Sequence, residues 1–167
     1  FTFFQTNSAQ LDKFIGRIIE FANLSGQENV WDLYSGCGSI TLPAAKFCRS
    51  IVGIELIDSA VADAKSNAKL NNIANVEFYQ ADLHSKQIPE LLNSIAKPDV
   101  IIVDPPRIGM NPNLIEHIKA VAPKRIVYVS CNPSTQARDL EMLSNQYRIA
   151  RVQPVDMFPH TYHIESI

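Results

Sequence analysis

Cysteine is scarce in this chain, and what there is forms no pattern. Cys37, Cys48 and Cys131 make an odd number with no paired spacing. That speaks against a disulfide framework and a zinc site, and reduced thiols in a cytoplasmic setting are the simpler reading. A basic excess is missing as well: 15 Lys and Arg stand against 17 Asp and Glu, a net charge of −2. A self-sufficient nucleic-acid binder carries surplus cations to neutralise phosphates. If this chain acts on nucleic acid, much of the grip must come from elsewhere. No apolar stretch approaches the ~20 residues needed to cross a bilayer, so no membrane partner is expected. The first residues show no secretory pattern, and no internal repeat, low-complexity tract or interdomain linker interrupts the chain.

What remains is ordinary globular composition. The 167 residues are 46% hydrophobic and 19% charged, enough for one domain, expected to be monomeric, with its own core. The opening run Phe1-Thr2-Phe3-Phe4-Gln5 and the closing run Ile164-Glu165-Ser166-Ile167 both read as cuts through ordered structure. The expectation is one catalytic domain taken from a longer protein.

Apolar runs and helical stripes alternate along almost the whole length. Ser8 is placed to cap a helix over 9–24, with Leu11, Phe14, Ile15, Ile18, Ile19 and Ala22 on one face. Strands are expected over 30–34, 51–55, 76–79, 100–103 and 125–130. Between and after them helices are expected over 40–47, from an Asp58 cap through Leu70, over 86–95, 113–121 and 134–144. A last strand pair is expected near 149–155 and 163–167. Strands alternating with helices imply a doubly wound α/β domain: a mostly parallel sheet with helices on both faces.

In such a sheet, ligands bind outside the carboxyl ends of the strands, and those ends are chemically loaded here. The first strand runs into Asp32-Leu33-Tyr34-Ser35-Gly36-Cys37-Gly38, where Gly36 and Gly38 let the backbone approach a ligand closely. A dinucleotide fingerprint would place a third glycine where Thr41 stands, which weakens a pyrophosphate reading. Glu55 ends the second strand roughly 20 residues on, the usual place for an acid that holds ribose hydroxyls. A glycine loop and a ribose acid without the third glycine fit S-adenosyl-L-methionine, which has a ribose but no phosphate. Asp82, after the third strand, is placed to meet the adenine edge.

The fourth strand ends in Asp104-Pro105-Pro106-Arg107 and the fifth in Ser130-Cys131-Asn132-Pro133. The first resembles the D/N-P-P-Y/F/W motif of amino-methylating enzymes, which stack the target base on the aromatic. Arg107 occupies that position and argues against amine chemistry. Cys131, between polar residues at a strand end, is a candidate nucleophile, and Arg107 is a charge that can act on its thiol. Cys37 and Cys48 read as small residues packing a loop and a helix. His160 and His163 read as structural or RNA-facing, since no further ligands at suitable spacing suggest a metal site.

Five segments in order resemble the RNA 5-methyluridine methyltransferases: Phe4-Gln5-Thr6-Asn7, Asp32 to Gly38, Asp104-Pro105-Pro106-Arg107-Ile108-Gly109, Ser130-Cys131-Asn132-Pro133, and Phe158-Pro159-His160-Thr161-Tyr162-His163-Ile164-Glu165. The resemblance implies a Rossmann-like methyltransferase sheet and methylation of carbon 5 of a uridine in tRNA or rRNA. It implies Cys131 as nucleophile and Glu165 as base. It also implies S-adenosyl-L-methionine contacts from Gln5, Tyr34, Glu55, Asp82 and Asp104. Two departures stand out: the RNA-binding region that normally precedes this domain, often OB-like, is absent from the chain, and Tyr162 stands where many relatives carry a small residue or proline. Two other readings remain: a small-molecule or amine methyltransferase on the same fold, which would not require Cys131 or Glu165, and a non-catalytic binding module.

Overall fold

The computed structural model describes residues 8–157, 160–161 and 163–167. The helix α1 (Ser8–Ala22) leads into β1 (Asn29–Leu33), α2 (Thr41–Ala45), β2 (Ser50–Glu55), α3 (Asp58–Leu70) and β3 (Val76–Gln80). There follow α4 (Ile88–Ser94), β4 (Val100–Val103), α5 (Pro112–Val121), β5 (Arg125–Tyr128) and α6 (Pro133–Leu143), and two short strands, β6 (Pro154–Val155) and β7 (Glu165–Ser166). Five strands form one parallel sheet in the order β3-β2-β1-β4-β5. The order reverses beside β1, so the crevice at a topological switch point opens between the carboxyl ends of β1 and β4.

Alternation along each strand sorts the core into two layers. Val30, Ile51, Val100 and Ile102 pack against Phe14 and Ile18 of α1 and Ala44 and Ala45 of α2. Trp31, Leu33, Val52, Ile54, Ile101 and Val103 face the other way, onto Leu92 of α4, Leu114, Ile115 and Ile118 of α5 and Leu143 of α6. The central strand β4 is Val-Ile-Ile-Val and wholly buried, as a strand covered on both faces must be. The doubly wound sheet is as expected.

Three local features differ from the sequence reading. Asp58 lies inside α3 rather than capping it: Ile57 is the N-cap and makes no side-chain cap bond. Asp58 still favours that helix by placing negative charge in its first turn. The helix expected over 40–47 keeps only five residues. The last strand pair is shortened to two residues each, β6 antiparallel to β7, because Pro154 brings no N–H to the ladder.

Candidate active site

Tyr34 follows β1 with φ 66°, and Gly36 and Gly38 come next at φ 55° and 88°. This turn brings the Gly36 N–H to Glu55, donating to Oε2 at 2.9 Å, while the Ile57 N–H donates to Oε1 at 2.9 Å. Each carboxylate oxygen keeps a second lone pair, so Glu55 is oriented by backbone and still able to accept from hydroxyls. A Cβ at Gly38 would sit 3.1 Å from Leu42 and 3.2 Å from Phe78, so the loop lies flat on the core. Asp82 is exposed, with Oδ1 accepting from the His84 N–H at 2.8 Å and Oδ2 left for a ligand. His84 in turn meets the Tyr34 hydroxyl at 3.2 Å, ring edge to ring face, and so ties the loops after β1 and β3 together. Gln5 lies outside the described residues.

Asp32 is the group that sequence reasoning passed over. It is fully buried; its Oδ2 accepts from the Thr41 hydroxyl at 2.5 Å. Among the described residues its Oδ1 and the neighbouring Ser35 Oγ are buried without a hydrogen-bond partner. Unpartnered buried polar atoms in a native fold call for an explanation, and a polar, positively charged ligand group supplies one. Burial, with Asp104 and Glu55 nearby, raises the Asp32 carboxyl to about 7 despite the Thr41 bond. The available signal was a carboxylate in the otherwise apolar run Val30-Trp31-Asp32-Leu33.

The raised value has a direct consequence for stability. A carboxyl that titrates at 3.8 when unfolded and at about 7 when folded favours the fold while protonated. That contribution is complete below about pH 4 and is lost as pH rises through 7. Asp32→Asn, which keeps the shape without the charge, should match the parent domain near pH 4. At pH 8 its melting midpoint should be higher by about 5–10 °C. Scanning calorimetry of both proteins across that range is the check, and a gap that does not change with pH would contradict it.

At the other side of the crevice, Asp104 follows β4 with its N–H donating to the Leu33 carbonyl at 3.3 Å. It is half-buried, and burial raises its carboxyl to about 6. Beyond β5, Val129 still bonds to Val103, and Ser130 makes an antiparallel bridge to Ser166 with reciprocal N–H···O bonds of 2.9 Å. Cys131 and Glu165 are the next residues on either side of that bridge, close enough for the Glu165 charge to act on the thiol. The Ser130 hydroxyl closes a tight turn on Asn132, accepting from its N–H and donating to its carbonyl at 3.0 Å each. Asn132 caps α6 through Ser134 N. Buried Gln136 donates to the carbonyls of Tyr128 at 3.0 Å and Ser166 at 3.3 Å, locking β5, β7 and α6 together.

Cys131, Glu165 and Asp104 therefore share one electrostatic environment. Glu165 is buried at 4% exposure, and that burial, with Asp104 adding, raises its carboxyl to about 7. The half-buried Cys131 thiol is pushed up by burial, then by Glu165 and Asp104, while Arg107 pulls it down without prevailing. Cys48, pushed up to about 11 by burial, and Cys37, half-buried in the glycine loop, lie outside this cluster. Among the described residues no group of His, Cys, Asp or Glu is arranged to hold a metal. Two surface hollows, one along Lys65, Lys69 and Tyr79 and one along Arg49, Ser94 and Ala96, involve none of these site residues.

A match to the tRNA (Uracil-5-)-methyltransferase family runs over residues 1–167. The chain belongs to that family. An uncharacterized RNA methyltransferase of Bacteroides thetaiotaomicron is 48% identical over 166 residues, covering 99% of this chain and 37% of the relative. The chain thus spans little more than a third of the length of such curated relatives. Among solved structures, the Pyrococcus abyssi tRNA (uracil-54, C5)-methyltransferase in complex with S-adenosyl-L-homocysteine superposes with a TM-score of 0.84. It is 38% identical, with 99% of this chain and 39% of that one covered. A precorrin-6y C5,15-methyltransferase from Geobacter metallireducens, at 18% identity and TM-score 0.71, shares the fold.

Proposed function

We propose that this domain transfers a methyl group from S-adenosyl-L-methionine to carbon 5 of a uridine in tRNA or rRNA through a covalent Cys131 adduct. One observation carries the reading: the Ser130–Ser166 bridge sets Cys131 beside Glu165, with Asp104 in the same electrostatic environment. A methyltransferase acting on an amine needs neither a thiol nor a second carboxylate there.

The residues present suit the cofactor. Glu55 offers acceptors for ribose hydroxyls, Asp82 Oδ2 for an adenine amine, and the glycine turn a surface without side chains. Half-buried Asp104, with the buried Asp32 carboxyl nearby, makes this a place where a cationic group is favoured, and the buried Ser35 adds an unpartnered hydroxyl. When bound, the sulfonium supplies an electrophilic methyl group.

The chain's own residues perform the rest. Carbon 5 of uracil is too weak a nucleophile to take a methyl group unaided. The Cys131 thiolate adds to carbon 6, forming the S–C6 bond and moving the C5–C6 π electrons into an enolate that makes carbon 5 nucleophilic. Once carbon 5 carries the methyl group, Glu165 removes its remaining proton. The C5–H electrons restore the double bond, and the S–C6 bond breaks to return the thiolate. Because burial and two neighbouring carboxyls hold the thiol up, positive charge entering beside Asp104 and Glu165 favours the thiolate. With a net charge of −2, the domain attracts phosphates weakly, so RNA capture is assigned mainly to sequence beyond these residues.

The test uses the full-length gene product and tRNA and rRNA transcripts carrying tritium on carbon 5 of uridine. One tritium should leave for each methyl group incorporated, and digestion should yield 5-methyluridine. Methyl incorporation with full retention of tritium would overturn the assignment to carbon 5.

A further inference from the structure

Ile108, one residue beyond the Asp-Pro-Pro-Arg turn, is 67% exposed. Single exposed aliphatic side chains are ordinary on protein surfaces, and Leu70, Ile149 and Val152 are others in this domain. Leu70 ends α3, and Ile149 and Val152 follow α6, while exposed Leu56 and Ile57 stand after β2, across β1 from β4 and β5. Ile108 stands after β4, on a segment bonded directly to the turn that carries Cys131.

The backbone under Ile108 is held from several sides. The Arg107 carbonyl accepts from Asn132 Nδ2 at 3.1 Å and from the Thr135 hydroxyl at 3.2 Å. The Ile108 carbonyl accepts from Arg138 Nη2 at 2.9 Å. Gly109, at φ 81°, donates to the Pro106 carbonyl at 2.8 Å. A Cβ at Gly109 would lie 2.5 Å from Arg138 Nη2 and 2.6 Å from Asp139 Oδ2. The Met110 N–H donates to the fully buried Asp139 at 2.7 Å, and Tyr128 and Arg138 hold the same carboxylate. An apolar side chain is thus presented to solvent on a segment with little freedom left to lose. Two guanidiniums flank it: exposed Arg107, resting on His163 at 3.3 Å, and half-exposed Arg138.

A uridine stacked in RNA cannot bring carbon 6 to a half-buried thiol without leaving its stack, at a cost of a few kcal/mol. Nucleic-acid-binding proteins offset such costs by inserting an apolar side chain between bases, with cations on the backbone nearby. We propose that Ile108 is the wedge that fills the gap left by the extruded uridine, with Arg107 and Arg138 facing the flanking phosphates. This rests on the uridine reading above and adds the residue that opens the stack. Ile108 touches neighbouring bases rather than the reacting atoms, so it is a positioning residue.

The test compares two RNAs in single-turnover methyl transfer with the full-length gene product at saturating RNA. One is the transcript that the wild-type protein methylates; the other is identical except that the nucleotides on both sides of the target uridine are abasic. Ile108→Ala should slow transfer to the first by about tenfold or more and to the second by less than about twofold. Ile108→Leu should restore most of the rate on the first. Equal losses on both RNAs, or none on the stacked one, would overturn the wedge while leaving the uridine reading intact. Failure of the wild-type protein to methylate carbon 5 of uridine in any tRNA or rRNA transcript would overturn both.

Discussion

Cys131→Ala is expected to lower single-turnover methyl transfer by about 10⁴-fold or more, the scale on which loss of an enzyme nucleophile is felt. Without addition at carbon 6 no enolate forms, and among the described residues no second thiol shares the cluster of Glu165 and Asp104. Cys131→Ser should be nearly as inactive, because an unassisted hydroxyl ionises far less readily than a thiol. Neither change touches the Glu55 and Gly36 contacts that orient the cofactor end, so cofactor affinity should stay within about twofold, a size difference that separates chemistry from binding. Rapid-quench assays with a labelled methyl donor, alongside calorimetric titration of the cofactor, measure both quantities. Transfer by Cys131→Ala within tenfold of wild type would move the amine or small-molecule reading ahead.

Glu165→Gln should fail differently. Addition and methyl transfer need no base at position 165, so the first turnover should proceed. Elimination should then stall, lowering steady-state turnover by about 10²–10⁴-fold. In the free domain the Glu165 carboxyl is held at about 7, against 4.5 ordinarily, by burial first and Asp104 second. A base must be ionised, so the elimination rate of the wild-type enzyme should climb with pH toward a plateau above about 7. The variant should lack that limb. Stability runs the opposite way: the buried acid favours the fold when protonated, and that contribution fades from pH 4.5 upward through 7. Glu165→Gln should therefore melt higher than wild type at pH 8. An inactive variant that is more stable than its parent cannot be dismissed as misfolded.

The fold was legible wherever burial acts through periodicity. Val100 to Val103 form an uninterrupted apolar run because both faces of β4 are covered, and the punctuation after each run marked the strand ends that carry Tyr34, Glu55, Asp82, Asp104 and Cys131. The closure of the site was harder to read. Glu165 reaches Cys131 through β7, only two residues long, and the Ser130–Ser166 bridge. No local pattern announces that positions so far apart in the chain come near each other, and Glu165 as a candidate base entered through family resemblance. Buried polar residues were also hidden. Gln136 and Asp139 occupy the inward stripe of α6 with Leu143, where a periodicity reading expects apolar side chains. Their carbonyl, amide and hydroxyl partners come from β5, β7 and the loop after β4. The state of the Cys131 thiol was invisible for the same reason: the charge of Arg107 can be read from its own motif after the fourth strand, whereas desolvation and the opposing carboxylates arise only on folding.

The most direct measurement is the mass of the species that Glu165→Gln forms with methyl donor and RNA, followed by peptide mapping after nuclease digestion. The account predicts a stable protein–RNA adduct that carries one added methyl group and is joined at the peptide containing Cys131. Free RNA methylated at the wild-type rate, or a link at Cys37 instead, would contradict it.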